Sequence, residues 1–251
     1  MLEGLEIGVY HFVMRAVDTM YMPEFKGTVL RGGFGTAFKR IACVNGPRSR
    51  RGVAGEDCAE CREAHRCAYK AVFEPSPPEG SQRLRSLQDI SRPFVLRIPP
   101  DPRTVVPSGH RLEWEIVLMG RARRFLPYFV VTFKALGESG FGLWHMGKRS
   151  RAVLESVHLQ NPLTGESQLV YDGMVGKFIN ADEAICRGTQ IEEIAKRLRS
   201  DMVSLDFVSI TRLKYRDAFV RTPEFHVVIR NLLRRLSTLA YFYQGTELQL
   251  D

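Results

Sequence analysis

The stretch LEIGVYHFVMRAV, residues 5–17, decides how the chain is interpreted, because it alternates like a β-strand. Ile7, Val9 and Val13 point to one side of this predicted strand. The residues on the other side are Tyr10, Phe12 and Met14. Both sides are therefore largely apolar, which is typical of a strand at the centre of a sheet. We predict that residues 5–17 form a central strand.

A helix is predicted in the next block, PEFKGTVLRGGFGTAFKRIACV, because its apolar residues recur at helical spacing. Glycines interrupt the pattern, and each costs about 1 kcal/mol relative to alanine inside a helix. Two interpretations stay open: the glycines let another element pack closely, or they let a phosphodiester backbone approach the cations of the same block. The glycines are Gly27, Gly32, Gly33 and Gly35, and the cations are Lys26, Arg31, Lys39 and Arg40.

Three more strands and a second helix complete the first part of the chain. The strands are predicted in PFVLRIPP (93–100), SGHRLEWEIVLMG (108–120) and AVLESVHLQ (152–160). The helix is predicted to begin near Pro127 and to end at Gly137. The order of strand, helix, strand, strand, helix and strand predicts an α+β fold, the ferredoxin-like or RNA-recognition-motif βαββαβ domain, over residues 1–160.

Residues 161–251 are predicted to start a second ferredoxin-like unit. A hairpin, a helix and a strand over residues 202–220 precede a long helix that Thr222 caps, Pro223 opens and Gly245 ends. A strand and an amphipathic helix cannot bury each other alone. We therefore expect this unit either to lean on the first domain or, preferably, to continue in a carboxy-terminal segment that is absent here.

Four of the five cysteines are concentrated in one pattern, C-x14-C-x2-C-x5-C. Four thiolates suit a closed, structural, tetrahedral zinc site, in which His65 could replace one thiolate. An iron–sulfur cluster is the alternative. The loop inside the pattern has few apolar residues and cannot order itself by burial, so that a metal would stabilise it. We predict a metal-binding insertion over residues 43–92 whose ligands are Cys43, Cys58, Cys61 and Cys67, and we expect Cys186 to be a small buried hydrophobe.

The charge of the chain favours an anionic partner. Lys and Arg number 36 against 28 Asp and Glu, which leaves a formal net charge of +8. A solvated basic surface without a partner is the alternative. The opening MLEGLEIGVY lacks the apolar core of a signal peptide, and no stretch approaches the ~20 apolar residues of a membrane span. We therefore expect a cytoplasmic protein that binds RNA and no membrane.

The segment GESGFGLWHMGKRSR, residues 137–151, is predicted to be a basic, glycine-rich loop. Glycines let peptide N–H groups converge on phosphate, and Trp144 and His145 are suited to stack on a base. A GxGxxG nucleotide-binding fingerprint is absent, so RNA is favoured over ATP, with a plain flexible loop as the alternative. The residues assigned to RNA contact here are Gly140, Gly142, Lys148 and Arg149.

A further basic element is predicted near residue 213, where Arg212, Lys214 and Arg216 alternate along one face of a strand. Cations in such a row fit a nucleic-acid backbone, so these residues join Arg31, Lys39 and Arg40 as candidates for RNA contact. The alternative is an edge strand that charge protects from aggregation.

Several of these blocks resemble one branch of the CRISPR-associated endoribonucleases that process precursor guide RNA, within the RAMP superfamily. The resemblance lies in PEFKGTVLRGGFGTAFKRIAC, C-x2-C-x5-C-A-Y, FEPSPP and PFVLRIPP, and later in FLPYFVVTFKALGESGFG and SITRLKYRDAFVRTPEFHVVIRNLLRRLSTLA. The blocks follow the order of the family and span most of residues 20–242. The combination is specific, although each block by itself is a weak signal.

The resemblance implies two tandem ferredoxin-like domains that bind CRISPR repeat RNA or mature CRISPR RNA, with other CRISPR effector subunits as possible partners. It implies cleavage without a metal, in which a ribose 2′-OH attacks the neighbouring phosphate and leaves a cyclic phosphate. A histidine with help from tyrosine or lysine moves the protons in such chemistry. His145, Tyr21 and Lys26 are the candidates for this role.

Two departures from the family pattern keep a second function open. Similar members often carry a histidine in the RGGFG-x-A segment, where this chain has Thr36. The glycine-rich loop near the carboxy terminus of family members would lie beyond residue 251. A threonine cannot act as a base near neutral pH. The alternative to the endoribonuclease is therefore a non-catalytic RNA-binding subunit of a CRISPR ribonucleoprotein complex.

Overall fold

The structure is a computed structural model, and it describes residues 2–43, 58, 61–77, 81, 90–198, 202–208 and 211–248. The strands are β1 (Glu6–Ala16), β2 (Met20–Tyr21), β3 (Phe94–Arg97), β4 (Val105–Val106), β5 (Arg111–Met119), β6 (Phe141–His145), β7 (Lys148–Ser150), β8 (Ala152–Gln160), β9 (Ser167–Asp172), β10 (Lys177–Phe178), β11 (Cys186–Arg187), β12 (Lys214–Tyr215) and β13 (Ala218–Phe219). The α-helices are α1 (Gly27–Ala42), α2 (Ala68–Phe73), α3 (Leu126–Ser139), α4 (Gly188–Arg197) and α5 (Phe225–Gln244), and 3₁₀ helices lie at Ala64–Arg66 and Gly120–Phe125.

An antiparallel sheet organises the molecule, with the strand order β10-β9-β8-β1-β5-β3 and with β11 paired to the start of β1. The predicted strand at residues 5–17 is confirmed as β1, and it is central, because it pairs with β5 on one side and with β8 on the other. The protein is therefore a mixed α+β fold built on an antiparallel sheet.

The core lies between α1, α3 and one face of this sheet. The rings of Phe34 on α1 and Phe133 on α3 stack with centroids 4.7 Å apart. Phe133 also contacts Phe12 of β1 and Trp114 of β5, at centroid distances of 5.4 and 4.9 Å. All four side chains are buried. Aromatic packing of this kind contributes beyond the burial of its area and fixes how the two helices lie on the sheet.

Two of the α1 glycines serve close packing inside the protein. A Cβ at Gly33 would lie 3.1 Å from Leu136 of α3, and a Cβ at Gly35 would lie 3.6 Å from Phe73 of α2. Gly32 is exposed and has no heavy atom within 4 Å of a Cβ position. The close neighbours are thus helices, and Gly32 is the glycine of this group that faces open space.

The predicted end of the second helix is wrong by two residues. Helix α3 continues past Gly137 to Ser139, and Gly140 then stops it with a φ of 85°. Gly137 is buried, and a Cβ there would lie less than 3.0 Å from the Ala152 carbonyl oxygen of β8 and from the end of the Met14 side chain. This glycine therefore lets the helix approach the sheet, which local sequence patterns cannot distinguish from a helix stop.

The sheet continues past residue 160, where the sequence predicted a boundary between two units. Strand β9 pairs with β8 across a turn at residues 161–166, and β11 pairs with β1. The division of the chain into two domains stays a prediction. The long helix α5 begins at Phe225, later than predicted, and ends at Gly245 as predicted, with a φ of 71°.

Two predicted elements are replaced by short hairpins. The loop predicted over residues 137–151 contains the β6–β7 hairpin, whose turn residues Met146 and Gly147 have φ values of 49° and 78°. Positive φ at both turn residues matches the twist of the strands on either side. The strand predicted over residues 202–220 contains, in its described part, only β12 and β13, because Arg216 and Asp217 also have positive φ and reverse the chain.

Candidate nucleic-acid interface

The β6–β7 hairpin presents an aromatic and basic surface to solvent, which we call the hairpin surface and define as Tyr21, Trp144, His145, Lys148 and Arg149. Trp144 is 67% exposed, and the guanidinium of Arg149 lies 6.0 Å from the centre of its ring. Lys148 and Arg149 are exposed and form no ion pair with any residue that the structure describes. Proteins that bind single-stranded nucleic acid combine exposed aromatic rings with nearby cations in this way.

A ring stack joins this hairpin to β2. The imidazole of His145 and the phenol of Tyr21 lie 3.8 Å apart between centroids, with an interplanar angle of 25°. Gly142 makes the approach possible, since a Cβ there would lie 2.7 Å from the carbonyl oxygen of Tyr21 and its φ is 99°. Gly140 likewise lies against the Arg149 carbonyl oxygen, 2.8 Å from a Cβ position. Both glycines are buried, so the structure gives them a packing role, and their assignment to phosphate contact stays a prediction.

The base of the hairpin is anchored to the segment after β1. Arg151 donates from its backbone N–H and from its guanidinium to the carboxylate of Asp18, at 3.1 Å for each contact with Oδ2. These hydrogen bonds lower the pKa of Asp18. The Ser150 hydroxyl donates to the Thr19 carbonyl at 2.8 Å. The hairpin surface is therefore held in place at its foot, while its tip stays open.

The contacts of Lys26 are with residues 101–103 and not with this stack. Its side chain is 4% exposed, and its Nζ donates to the carbonyl oxygens of Asp101 and Arg103 and lies 3.5 Å from the Asp101 carboxylate. The Arg103 guanidinium donates to the same carboxylate at 2.8 Å and is the main reason that the pKa of Asp101 falls to about 2. Of the three catalytic candidates, the structure thus brings Tyr21 and His145 together and gives Lys26 a buried set of contacts.

The cations of α1 lie on its exposed side. The Arg31 guanidinium reaches the Leu96 carbonyl at 3.4 Å, and the Lys39 ammonium lies 4.9 Å from the centre of the Tyr69 ring. Arg40 is exposed in the last turn of the helix. Thr36 is exposed, and its hydroxyl donates to the Gly32 carbonyl at 3.4 Å.

Of the predicted zinc ligands, Cys43 follows the last residue of α1, and the Cys67 thiol donates to the Ala42 carbonyl at 3.8 Å, while most of the insertion at residues 43–92 falls outside the described residues. Cys58 and Cys67 are buried, and Cys43 and Cys61 are half-buried. Burial, helped by a hydrogen bond to Glu74, raises the pKa of the Cys58 thiol to about 11.

Four thiols have the right donor chemistry for zinc. Within the described ranges, however, no three or more His, Cys, Asp or Glu residues are grouped as a metal site requires. Zinc therefore stays a prediction. Cys186 is buried on β11, and burial raises the pKa of its thiol.

The predicted row of cations near residue 213 has a different geometry. Arg212 and Lys214 both lie over the ring of Phe219, at 5.1 and 5.2 Å from its centre, and Arg216 lies 5.3 Å from the centre of the Tyr215 ring. The cations therefore surround the small β12–β13 hairpin instead of lining one face of a strand. Their assignment to RNA contact stays a prediction.

Sequence reasoning missed a histidine pair on the sheet face opposite α1 and α3. His11 of β1 lies directly across from His158 of β8 in the strand register. His11 Nε2 is 3.2 Å from the Glu113 carboxylate, and His158 Nε2 is 3.2 Å from the Ser156 hydroxyl. Burial, with a smaller effect of His11, lowers the pKa of His158. The alternation along β1 places His11 on this face, but only the pairing of β1 with β8 reveals the neighbour.

The arginines on this face are already paired with carboxylates. Arg15 and Arg111 both contact Glu155, at 2.6 and 2.7 Å, and Arg97 pairs with Glu115. A face whose cations are neutralised in this way attracts phosphate weakly. The free cations of the candidate interface lie instead on the hairpin surface and on α1.

Comparisons with known proteins extend this description. Residues 5–183 match the family model AF_1859_N, described as an N-terminal domain. An uncharacterized protein from Archaeoglobus fulgidus is 25% identical over 153 residues, which are 61% of this chain and 45% of the relative, so the aligned region spans less than half of that protein. The crystal structure of the Csm3-Csm4 subcomplex in the type III-A CRISPR-Cas interference complex aligns over 80% of this chain and 99% of that chain, with 12% identity and a TM-score of 0.39, a value too low to support any conclusion.

None of the described helices combines the length and the apolar character needed to cross a membrane.

The family model covers well over half of the chain, including every strand from β1 to β10 and the hairpin surface. This chain therefore belongs to the AF_1859_N family, whose N-terminal domain its residues 5–183 form.

Proposed function

We propose that the protein binds CRISPR RNA on the hairpin surface and the exposed side of α1, and that it processes precursor CRISPR RNA by cleavage without a metal. The observation that carries the RNA-binding part is the hairpin tip, where Trp144 is 67% exposed beside two cations without ion pairs among the described residues. An exposed ring stacks on any base, and cations beside it neutralise the backbone. We choose CRISPR RNA as the ligand because several sequence blocks resemble CRISPR endoribonucleases.

The fold that we propose for residues 1–160 is the ferredoxin-like domain. The strand order β8-β1-β5-β3, with all pairs antiparallel, supports it. So does the packing of α1 and α3 against each other on one face of the sheet, through Phe34 and Phe133. A structural zinc in the cysteine-rich insertion belongs to the same proposal.

The chemistry would be an internal transesterification. The ribose 2′-OH loses its proton and attacks the adjacent phosphorus, the bond to the 5′-oxygen breaks, and that oxygen takes up a proton, which leaves a 2′,3′-cyclic phosphate and a 5′-hydroxyl. His145 is exposed and can exchange a proton with such a group, while the Tyr21 ring orients the imidazole. Arg149 and Lys148 would stabilise the additional charge on the phosphate oxygens in the transition state.

The second candidate is an RNA-binding subunit that does not cleave. Two observations favour it: Thr36 occupies the position where a histidine is expected, and Lys26 is buried among carbonyl and carboxylate oxygens. With Lys26 occupied and the Tyr21 ring in an orienting role, His145 is the candidate that remains for both proton transfers. Both candidates share the same RNA-binding surface.

One experiment tests binding and cleavage together. A labelled CRISPR repeat RNA is incubated with the protein in EDTA, alongside RNAs with a single 2′-deoxy substitution at each candidate position. Cleavage that one deoxy substitution abolishes supports the endoribonuclease, and salt-sensitive binding without product supports the subunit.

A matched pair of variants tests the surface itself. Trp144→Ala should weaken RNA binding by about 1–3 kcal/mol through the lost stacking, whereas Lys134→Ala on the exposed side of α3 should not change the affinity. Equal affinities for the two variants would contradict the proposed surface.

A further inference from the structure

We propose that a cavity between the 3₁₀ helix Gly120–Phe125 and the end of α5 binds a ribonucleoside monophosphate. The cavity has a volume of about 610 Å³, and small-molecule sites typically measure ~300–1000 Å³. Its walls come from the start of β1, the 3₁₀ helix, residues 178–182 after β9 and the end of α5. The site is separate from the hairpin surface and does not depend on the proposed function.

Two arginines on the 3₁₀ helix provide the subsite for the phosphate. A 3₁₀ helix has three residues per turn, so side chains at positions i and i+3 eclipse each other. Arg121 and Arg124 stand in this relation, both are exposed, and both line the cavity. In the described part of the chain neither forms an ion pair, and the Arg124 guanidinium lies over the ring of Phe125, 4.8 Å from its centre. Two unpaired guanidinium groups on one side of a short helix can bind one phosphate through several N–H···O bonds.

Arg123 lies between them in sequence, and its ion pairs explain why Arg121 and Arg124 have no carboxylate partner among the described residues. Arg123 donates to the carboxylates of Glu6 and of Asp182, the latter at 2.8 Å, and it contacts the hydroxyl of buried Tyr10. Both carboxylates that line the cavity are therefore taken by Arg123. Three arginines less two carboxylates leave one net positive charge around the cavity.

The wall also holds hydrogen-bonding capacity that the described residues do not use. Arg123 Nε and Gln244 Oε1 are buried, and neither has a hydrogen-bond partner in the described part of the chain. One is a donor and the other an acceptor, and both residues line the cavity. A buried polar group without a partner destabilises the protein. A polar ligand that rearranges this wall and forms hydrogen bonds with these two atoms would therefore bind more tightly.

Part of the cavity lining is apolar and aromatic, which favours a nucleotide over free phosphate. Phe178 and Ile179 are each 41% exposed, and Tyr243 adds a second ring. The amide of Asn180 lies among them and can both donate to and accept from the edge of a base. A lining that combines arginines with apolar and aromatic side chains fits a phosphate that carries a sugar and a base.

Titration calorimetry with UMP, uridine and inorganic phosphate tests the site on the whole 251-residue chain. We expect UMP to bind, phosphate to bind more weakly, and uridine to give no measurable heat. The double variant Arg121→Ala/Arg124→Ala should weaken UMP binding by about tenfold or more, with an unchanged circular dichroism spectrum. Lys148→Ala/Arg149→Ala should bind UMP like the parent protein, so that a failure of the RNA-binding proposal is distinguished from a failure of this one.

Three outcomes would overturn the inference: no binding of UMP at millimolar concentration, equal binding of uridine and UMP, or an unchanged UMP affinity in the double variant. If that variant does not fold, Arg121→Lys and Arg124→Lys replace it. Lysine keeps the charge but loses the planar fork, so each should weaken UMP binding, and an unchanged affinity in both would count against the site.

Discussion

The ring of Tyr21 lies against the imidazole of His145, with 3.8 Å between centroids and 25° between planes. The two residues are 124 positions apart in the chain, and the β6–β7 hairpin brings them together where β6 passes β2. Of the three catalytic candidates, these are the two that share a contact. The stack fixes the orientation of an otherwise exposed imidazole.

The first prediction concerns this stack. Tyr21→Leu should lower the rate of RNA cleavage by about tenfold while RNA affinity changes little, because the imidazole loses its orientation and the cations remain. Tyr21→Phe should preserve the rate, since the ring is retained, and His145→Gln should lower the rate by about 10²–10⁴. Single-turnover cleavage in EDTA measures all three variants. A Tyr21→Phe variant as slow as Tyr21→Leu would assign the role to the hydroxyl instead of the ring.

The second prediction concerns the free cations of the hairpin surface. Log–log plots of RNA affinity against salt have a slope of about 0.7 per phosphate contact for single strands. Lys148→Ala/Arg149→Ala should therefore reduce the slope by about 1.4, twice that value. Arg97→Ala is the control. Arg97 pairs with Glu115 on the sheet face opposite α1 and α3, so its substitution should leave the slope unchanged. Fluorescence anisotropy over a salt series measures the slope. An equal loss in the two variants would contradict the placement of the interface.

The third prediction concerns two glycines with opposite surroundings. Gly137→Ala should destabilise the protein by about 1–3 kcal/mol, because its Cβ would meet the backbone of β8 and displace helix α3. Gly32→Ala should stabilise it by about 0.5–1 kcal/mol, because the position is helical, exposed and open. Urea denaturation of both variants gives the free energies of unfolding. Stabilisation by both substitutions would mean that α3 does not lie as close to β8 as described.

The fourth prediction concerns His158, whose pKa is lowered by burial and by His11. The unfolded state then binds more protons than the folded state between the lowered pKa and the ordinary value of about 6.5. This contribution to stability is complete above the ordinary pKa and is lost as pH falls towards the lowered one. His11, Glu113 and Glu115 are the other titratable groups near this position.

Denaturation at pH 7.5 and 5.5 measures the effect. The free energy of unfolding should fall less on acidification in His158→Gln than in the parent protein. His110→Gln, at an exposed position, is the control and should retain the parent's pH dependence. A parental pH dependence in His158→Gln would show that another group is responsible.

The fifth prediction concerns the cysteine cluster. Purified protein should contain about one zinc per chain, and Cys58→Ser should lose most of it and unfold more easily, because a closed zinc site adds folding free energy. Cys186→Ser is the control, since that residue is buried outside the cluster and should retain the metal. Elemental analysis and thermal unfolding measure the two effects. A Cys58→Ser protein that holds the parental amount of zinc would exclude the predicted ligand set.

Elements with a long and regular pattern were predictable from the sequence. Strand β1 and helix α5 each carry many residues that repeat one period, and their positions agree with the prediction to within a few residues. The β6–β7 and β12–β13 hairpins were missed because each strand has two to five residues and each turn depends on positive φ at non-glycine positions such as Met146 and Arg216. Local preferences are too weak to predict such turns.

The candidate site shows the same division. Trp144, His145, Lys148 and Arg149 were predicted as a group because they are neighbours in sequence. Distant residues decide three other features: the separation of Lys26 from the other two catalytic candidates, the pairing of Arg15, Arg97 and Arg111 with carboxylates, and the His11–His158 contact. The sequence alone determined the central strand, the main helices and an excess of positive charge, because periodicity and composition are local properties. Only the tertiary structure decided which cations remain free, because ion pairs depend on strand register and on burial between distant segments.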